Sequence, residues 1–353
     1  MKKLLVAAVQ AALLLSVPAH ADDLMKVRFV QSHPAFVIGE EIFIYVVPKQ
    51  MGYYAEEGLD VSIENATSGV QAVQTMLAGR AEFATGGADG MLSLREKGGD
   101  PFAFASIKMN NGWLLGVKPD SPIRSWTDVK GKTLGTIALG SGGHLVSNLE
   151  MRAVGLSDKD YNMVALGIGA AAAAALVNDQ VDGIVYYDSL FSAMENNGIA
   201  LRYVQMPEAG KLQGQIISTT DKFAAEHPEA VIGMCRAIAK GRHFAQTNAE
   251  ASVAMFYKEF PQTLPADKPL ETAIKEGVRG LKFYLEYSQL GVPYGDKTGW
   301  IVPENVVNSQ NFYKEIGLVK GAIPATDAYT NTYFDQCNDF DHAAVESQAK
   351  NFK

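Results

Sequence analysis

Cysteine is scarce in this sequence, which has only Cys235 and Cys337 among its 353 residues. Two cysteines are too few for a disulfide-rich scaffold, and neither stands near a histidine at a zinc-site spacing. A single disulfide between them stays open, although two unpaired thiols are slightly favoured. The sequence therefore excludes small disulfide-stapled domains and cysteine-based zinc proteins.

Positive charge is also in short supply, because 31 Lys and Arg residues face 39 Asp and Glu residues, for a net charge of −8. No basic run is interleaved with aromatic residues, so nucleic acid is not expected as a partner. Apolar residues make up 47% and charged residues 20%. This ordinary globular composition excludes disordered, collagen-like and coiled-coil proteins, and the length suits two domains.

Long apolar runs are absent after the first 21 residues, so no membrane span is predicted in the rest of the chain. The N-terminus itself combines Lys2-Lys3, an almost wholly apolar stretch over 4–17, and the small-x-small sequence Ala19-His20-Ala21. This is the pattern of a secretory signal peptide, and its apolar core is too short to span a membrane. We predict a cleaved signal peptide at 1–21 and no lipid anchor, since no cysteine follows.

Strands and helices alternate along the remaining chain. Strands are predicted at 26–31, 61–64, 81–85, 113–117, 133–138, 183–187, 201–205 and 215–218. Helices are predicted after Ser68, after the glycines at 140–143, over 170–175, after Asp188, and over 228–244 and 249–260. A βαβ rhythm of this kind predicts an α/β protein with mostly parallel sheets flanked by helices.

The rhythm runs twice, so we predict two lobes that are followed by a helical tail. The chain is expected to cross from the first lobe to the second near 110–113 and to return near 214–220. The predicted division gives a discontinuous first lobe of 22–112 plus 218–353 and a second lobe of 113–217. Ligands bind such proteins at the carboxyl ends of the strands.

Enzymatic motifs fail at their defining positions. Gly131-Lys132-Thr133 resembles the end of a phosphate loop, but Trp126 stands where that motif needs its first glycine. The loop at 140–143 has Leu145 where a dinucleotide fingerprint needs its third glycine. It also has Leu139 where a nucleophile elbow needs its first glycine. The sequence therefore does not predict an enzyme.

Two glycine-rich loops remain as candidate ligand sites, at 86–89 and at 140–143. A Gly/Ser turn that opens a helix exposes backbone N–H groups and the positive end of the helix dipole, which suits an anion or a polar ligand. The alternative is that these glycines only serve tight turns. Two equivalent loops in two similar lobes favour the ligand site.

Five further residues at strand or helix ends are considered as candidates. His33 and His144 would need a carboxylate to make a metal site, and no metal spacing is present, so neither metal nor cofactor is expected; the alternative for each is an ordinary loop histidine. Tyr186 and Tyr187 end a strand and point to opposite faces, so at most one lines a cleft. Asp188 is either a helix N-cap or a ligand contact.

A resemblance to a known family emerges from these segments. The sequence GYYAEEGLDV at 52–61 resembles a signature of periplasmic solute-binding proteins that serve ABC importers of nitrate, sulfonates, taurine and thiamine-pyrimidine precursors. Further matching segments follow in family order at 73–83, 129–135, 182–184 and 227–231 with 236–237. The resemblance implies a two-lobed type II binding-protein fold with its helical tail on the first lobe. It also implies closure on a ligand and delivery to a membrane permease.

The resemblance also implies which loops contact the ligand. Carried over by motif, the ligand-binding residues are Ser32, His33, Phe36, Gly86, Gly87, Ala88, Asp89, Ser141, Gly142, Gly143, His144, Tyr187 and Asp188. The stretch at 36–45 departs from the family pattern. None of these loops contains Lys or Arg, whereas Asp89 and Asp188 can both face the cleft. Because buried unpaired charge is costly, we expect a ligand of low net charge, either a taurine-like zwitterion or an amino-heteroaromatic compound.

The functional prediction is a monomeric periplasmic receptor that hands its small-molecule ligand to the permease subunits of an ABC importer. Three alternatives stay open. The first is an enzyme of thiamine-pyrimidine synthesis on the same fold, although that branch lacks a secretion signal and carries a cysteine-rich motif. The others are a receptor that reports to a membrane sensor kinase and a receptor for aromatic carboxylates.

Overall fold

Two five-stranded sheets form the centre of the molecule. The computed structural model describes residues 24–287, 297–321 and 323–352, so the predicted signal peptide at 1–21 lies outside the described residues. The strands are β1 (Met25–Gln31), β2 (Leu59–Asn65), β3 (Phe83–Gly86), β4 (Pro101–Ser106), β5 (Trp113–Val117), β6 (Thr133–Thr136), β7 (Asn162–Ala165), β8 (Gly183–Tyr187), β9 (Arg202–Val204) and β10 (Ile216–Thr220). Two of them, β4 and β7, were not predicted from the sequence.

The first sheet has the strand order β2-β1-β3-β10-β4. The strands β2, β1 and β3 run parallel, while β10 lies antiparallel to both β3 and β4. Every residue of the central strand β3 is buried, and so is every residue of β4, although β4 lies at the edge of the sheet.

The second sheet repeats this arrangement with the order β7-β6-β8-β5-β9. The strands β7, β6 and β8 are parallel, and β5 is antiparallel to β8 and β9. The chain leaves the first sheet between β4 and β5 and returns between β9 and β10. The first sheet is thus built from two separate parts of the chain; the residue at which each lobe begins and ends stays a prediction.

Helices cover both sheets and form the C-terminal part. They are α1 (Val47–Gln50), α2 (Tyr53–Glu56), α3 (Gly69–Leu77), α4 (Ala88–Glu96), α5 (Gly142–Ala153), α6 (Ala170–Val177), α7 (Asp188–Asn196), α8 (Asp221–Glu226), α9 (Pro228–Thr247), α10 (Ala249–Glu259), α11 (Leu270–Tyr287), α12 (Pro303–Glu315), α13 (Ala325–Ala328), α14 (Phe334–Cys337) and α15 (His342–Asn351). A π-helix spans Ile42–Val46, and 3-10 helices span Trp126–Val129, Ala209–Lys211 and Pro261–Thr263. Among the described residues, none of these helices has the length and the apolar character needed to cross a membrane.

The C-terminal helices touch both sheet units. In α11, Tyr284 packs into the core beside the first sheet, whereas Phe283 and Tyr287 pack against the core beside the second. In α12, Phe312 belongs to a core cluster of the second unit. The segment after β10 therefore packs against both units and supplies part of the wall of the space between them.

The two cysteines form a disulfide that joins α9 to α14. Cys235 and Cys337 have Cα atoms 5.2 Å apart and are both buried. The slight preference for unpaired thiols was therefore wrong. The two cysteines are 102 positions apart in the sequence, so no local pattern indicates that the tail folds back onto α9.

Candidate functional site

A cavity of about 450 Å³ lies between the two sheets. Its walls come from the segment after β1, the start of α4, the two connections between the sheets, the starts of α5 and α7, and the C-terminal segment. The lining residues include His33, Gly39, Glu40, Gly87, Asp89, Lys108, Trp113, Gly142, Tyr187, Asp188, Gln213, Gln215, Tyr284, Phe312 and Tyr313. The volume falls within the range of small-molecule and cofactor sites.

Six of the thirteen residues predicted for the site line this cavity: His33, Gly87, Asp89, Gly142, Tyr187 and Asp188. They come from both sheets and stand at strand ends, as the α/β rule requires. The sequence thus identified the strand ends that face the cavity. Ligand contact by these residues stays a prediction.

The other seven predicted residues stand close by but do not line the cavity: Ser32, Phe36, Gly86, Ala88, Ser141, Gly143 and His144. Phe36 stacks on Phe260, with the ring centroids 3.9 Å apart. His144 Nδ1 accepts a hydrogen bond of 2.8 Å from the N–H of Gly140. Both side chains contact other protein groups, and a ligand contact by any of the seven residues stays a prediction.

The glycines at the start of α5 make room for an indole ring. A Cβ atom at Gly142 would lie 2.8 Å from Trp113 Cζ2, and one at Gly143 would lie 2.8 Å from Trp113 Cζ3. Trp113 itself lines the cavity. These glycines therefore hold the indole against the helix N-terminus, a packing role that the sequence could not separate from a ligand role.

Aromatic side chains make up much of the wall. Trp113 and Tyr187 meet edge to face, with their centroids 5.5 Å apart, and Tyr284, Phe312 and Tyr313 add further rings. The preceding Tyr186 points the other way, is buried, and donates a hydrogen bond of 2.5 Å to the carbonyl of Gly167. The expectation that at most one of the two tyrosines lines the cleft is confirmed.

Lys108 is the main residue that the sequence analysis missed. Its Nζ forms an ion pair with Asp188 Oδ2, and the two side chains are only 7% and 4% exposed. The same ammonium lies 4.7 Å from the centre of the Tyr284 ring. The predicted loops contain no basic residue, but the cavity wall does. Lys108 was missed because it follows β4, a strand that was not predicted.

Asp188 is positioned by the start of α7. Its Oδ1 accepts a hydrogen bond of 2.8 Å from the N–H of Ser189, while Oδ2 faces Lys108. Both carboxylate oxygens are thus occupied by protein groups. A ligand amine would have to compete with Lys108 for this carboxylate.

His33 stands between two carboxylates that the sequence analysis also missed. Its Nε2 lies 3.4 Å from Glu40 Oε1, and its Nδ1 lies 3.4 Å from Glu41 Oε1. The Glu40 carboxylate, aided by Glu41, raises the pKa of His33 to about 9, and burial raises the pKa of Glu41. Two adjacent glutamates before an apolar run were the available sequence signal.

Opposite charges nearly balance around the cavity. The cationic side chains of His33 and Lys108 face the carboxylates of Glu40 and Asp188. Asp89 also lines the cavity, and burial raises its pKa above the ordinary value for an aspartate. The site therefore offers no excess of positive charge for a multiply charged anion.

Comparison with known proteins places the chain in a family. The family model described as NMT1/THI5 like matches residues 40–252. The riboflavin-binding protein RibY of Chloroflexus aurantiacus is 22% identical over 296 residues, which cover 82% of this chain and 81% of that protein. A 4-amino-5-hydroxymethyl-2-methylpyrimidine phosphate synthase of Schizosaccharomyces pombe is 23% identical over 222 residues, or 59% of this chain and 62% of that protein.

A solved structure shows the same architecture. The periplasmic aliphatic sulphonate-binding protein SsuA of Escherichia coli superposes with a TM-score of 0.64 over 86% of this chain and 91% of its own, at 17% identity. At this identity the similarity shows the fold alone. The chain belongs to the NMT1/THI5-like family and has the fold of the periplasmic binding proteins.

Proposed function

We propose that this protein is a periplasmic solute receptor that binds a small organic molecule of low net charge between its two sheets and delivers it to an ABC importer. The observation that carries the proposal is the cavity of about 450 Å³ whose walls come from both sheets. Such a cavity lets a ligand hold the two units together. This is the property that a transport receptor needs, because the permease must distinguish the loaded form.

The walls favour a flat heteroaromatic ligand over a taurine-like zwitterion. Trp113, Tyr187 and Tyr284 present ring surface to the cavity, and stacking on a protein aromatic contributes about 1 to 3 kcal/mol per heteroaromatic base. A relative named as a riboflavin-binding protein supports the same ligand class. The nearly balanced charges give a dianion no free countercharge.

The ion pair of Lys108 and Asp188 supports closure of the two units on each other. Lys108 belongs to the connection after β4 of the first sheet, and Asp188 begins α7 beside the second sheet. A contact between two buried charges disfavours separation, because opening would leave each of them without its partner. We propose the predicted lobes, 22–112 plus 218–353 and 113–217, as the two units that move.

The test is the melting temperature of the protein after refolding to remove carried-over ligand. The probes are riboflavin, 4-amino-5-hydroxymethyl-2-methylpyrimidine, taurine, an alkanesulfonate, nitrate and phthalate. A ligand at 1,000 times its Kd adds about 4 kcal/mol to the stability of the native state. We expect a shift of several degrees with riboflavin or the aminopyrimidine. Stabilisation by phthalate or nitrate alone would contradict the ligand class.

A variant checks that binding occurs in this cavity. Trp113→Ala should lower the affinity for the stabilising ligand by about tenfold or more, since it removes one stacking surface. Tyr329→Ala serves as the control, because this aromatic side chain does not line the cavity. Equal affinities of the two variants, measured by isothermal titration calorimetry, would place the ligand elsewhere.

The synthase named among the relatives makes an enzyme the second candidate. In the described part of the chain both cysteines are engaged in the disulfide, so there is no free thiol, and the cysteine-rich motif expected of that branch is absent from the sequence. A receptor should release the bound compound unchanged. Mass spectrometry of the ligand after prolonged incubation tests this, and a stoichiometric chemical change would favour the enzyme.

A further inference from the structure

A histidine and two carboxylates meet at one end of the cavity. One potential ligand atom from each of His33, Glu40 and Glu41 lies within 4.8 Å of the others. The glutamate side chains are 4% and 0% exposed. His33 and Glu40 line the cavity, so the cluster is buried on the protein side and accessible from the ligand side.

The protein satisfies these carboxylates only in part. Glu41 Oε1 accepts a hydrogen bond of 3.3 Å from the N–H of Val37, but one oxygen of each carboxylate has no such donor. Glu40 Oε1 and Glu41 Oε2 are buried and accept no hydrogen bond from any described residue. The two contacts with the imidazole are 3.4 Å long, whereas charge-assisted hydrogen bonds are about 2.7 to 2.9 Å. A buried acceptor without a donor is costly, and the cost is greater for a carboxylate. The cluster therefore has capacity for a further cation.

The free oxygen of Glu41 lies beside a glycine of the cavity wall. Glu41 directly precedes the π-helix Ile42–Val46, a rare element that is frequent at functional sites. On the other side, a Cβ atom at Gly39 would lie 3.5 Å from Glu41 Oε2, and Gly39 lines the cavity. Glu41 Oε2 is therefore close to a cavity-lining residue that has no side chain of its own.

We propose that His33, Glu40 and Glu41 bind one divalent transition-metal ion of the zinc class, with a coordination position open to the cavity. Imidazole and carboxylate together suit zinc and its neighbours better than calcium or copper(I). Metal binding would displace the proton of His33, and a divalent ion with two carboxylates then sums to zero charge, which offsets the cost of burying both glutamates. Three protein ligands with one open position are typical of zinc sites that bind an exogenous molecule.

The surroundings of His33 fit a metal ligand. A ligating histidine binds through one ring nitrogen and normally has a polar partner on the other. Here Nδ1 faces Glu41, and Nε2 lies 3.2 Å from the side-chain amide of Gln215. Gln215 in turn accepts a hydrogen bond of 3.3 Å from the hydroxyl of Tyr284. The ring orientation is thus supported whichever nitrogen ligates.

The test uses the metal alone and does not depend on the transported ligand. Untagged, EDTA-treated protein is titrated with Zn²⁺ in a calorimeter and with Co²⁺ in a visible spectrophotometer. We expect one equivalent to bind and Co²⁺ to give d–d bands of a low-coordinate site. His33→Ala and Glu41→Gln should each weaken the binding of Zn²⁺ by more than about 100-fold. Loss of a residue that only supports a metal ligand already lowers metal affinity by about 10- to 100-fold.

Matched controls separate this site from ordinary surface binding. Glu150→Gln removes another buried carboxylate, and His227→Ala removes a histidine that pairs with Glu229 on the surface; both should bind Zn²⁺ as the unmodified protein does. If Glu41→Gln does not fold, Glu40→Gln provides the same comparison. Absence of Co²⁺ bands, or wild-type affinity in His33→Ala, would overturn the proposal while leaving the proposed receptor function intact.

Discussion

At the scale of single residues, the ion pair of Lys108 and Asp188 requires a glycine at position 112, which belongs to no motif. Gly112 has a φ of +66°, and a Cβ atom there would lie 2.3 Å from Lys108 Nζ and 3.6 Å from Asp188 Oδ2. Only glycine combines this backbone conformation with the space that the ion pair occupies. The chain thus turns between the sheets at the point where its buried lysine reaches across.

Gly112→Ala should destabilise the protein by about 2 to 4 kcal/mol, because it combines backbone strain with displacement of the Lys108 ammonium. Gly155→Ala is the matched control, since Gly155 has a φ of +77° with nothing within 4 Å of its added Cβ. That variant should lose only about 1 kcal/mol. Urea unfolding measures both, and equal losses would show that the ion pair tolerates the methyl group.

Asp188→Ala acts first on stability, because it leaves Lys108 buried without its carboxylate. We expect a loss of about 3 to 5 kcal/mol in the free energy of unfolding. The double variant Lys108→Met/Asp188→Ala should recover at least half of this loss, since no unpaired charge remains. If the double variant is as unstable as the single one, packing around Asp188 and not charge pairing accounts for the effect.

At the scale of elements, strands and helices with clear local patterns were predictable. The strand β8 has the predicted bounds. The helix α3 begins directly after its N-cap Ser68, whose Oγ accepts a hydrogen bond from the N–H of Gln71. Gln71 Oε1 in turn accepts a hydrogen bond of 2.6 Å from the N–H of Thr67, the residue before the N-cap. Local periodicity and capping chemistry therefore determine these elements without tertiary context.

The missed elements explain the missed site residues. All six residues of β4 are buried, so the strand shows none of the alternation by which half-exposed strands are recognised. Lys108 follows β4, and without that strand nothing placed the lysine at the cleft. Glu40 and Glu41 precede a π-helix, whose repeat differs from the 3.6-residue pattern used to find helices.

The contact between α5 and the 3-10 helix Ala209–Lys211 should depend on pH. Burial raises the pKa of Glu150 in α5 to about 7. Hydrogen bonds from the Ala209 and Glu208 N–H groups lower this pKa, but their effect is smaller than that of burial. The folded state thus holds a proton that the unfolded chain releases near the ordinary value of 4.5. The contribution of protonated Glu150 to stability is complete below a pH of about 4.5 and is lost as the pH rises through about 7.

Glu150→Gln keeps a neutral acceptor for the Ala209 N–H, which is 2.7 Å from Glu150 Oε1. We expect the variant to match the wild type at pH 4.5 and to exceed it by about 2 kcal/mol at about pH 8. Urea unfolding at the two pH values measures the difference. A constant difference between the proteins at both values would assign the pH dependence to other groups.

At the scale of the whole molecule, the C-terminal tail packs onto the first unit, although it is far in sequence from most of that unit's strands. Cys235 in α9 and Cys337 in α14 are 102 residues apart, and α15 packs Val345 and Ala349 into the core of the first unit. In the chain-entropy account, closing a loop of about 100 residues stabilises a protein by about 4.7 kcal/mol. The disulfide also fits the oxidising compartment that the predicted signal peptide implies.

Replacing both cysteines by serine should lower the melting temperature by about 5 °C or more, because the unfolded chain regains the conformational freedom of that loop. The same fall is expected when the wild-type protein is reduced with dithiothreitol, while the double variant should not respond to the reductant. Differential scanning calorimetry distinguishes the cases. If reduction leaves the melting temperature unchanged, packing of α15 on α9 holds the tail by itself, and the disulfide forms only because the fold brings the two thiols together.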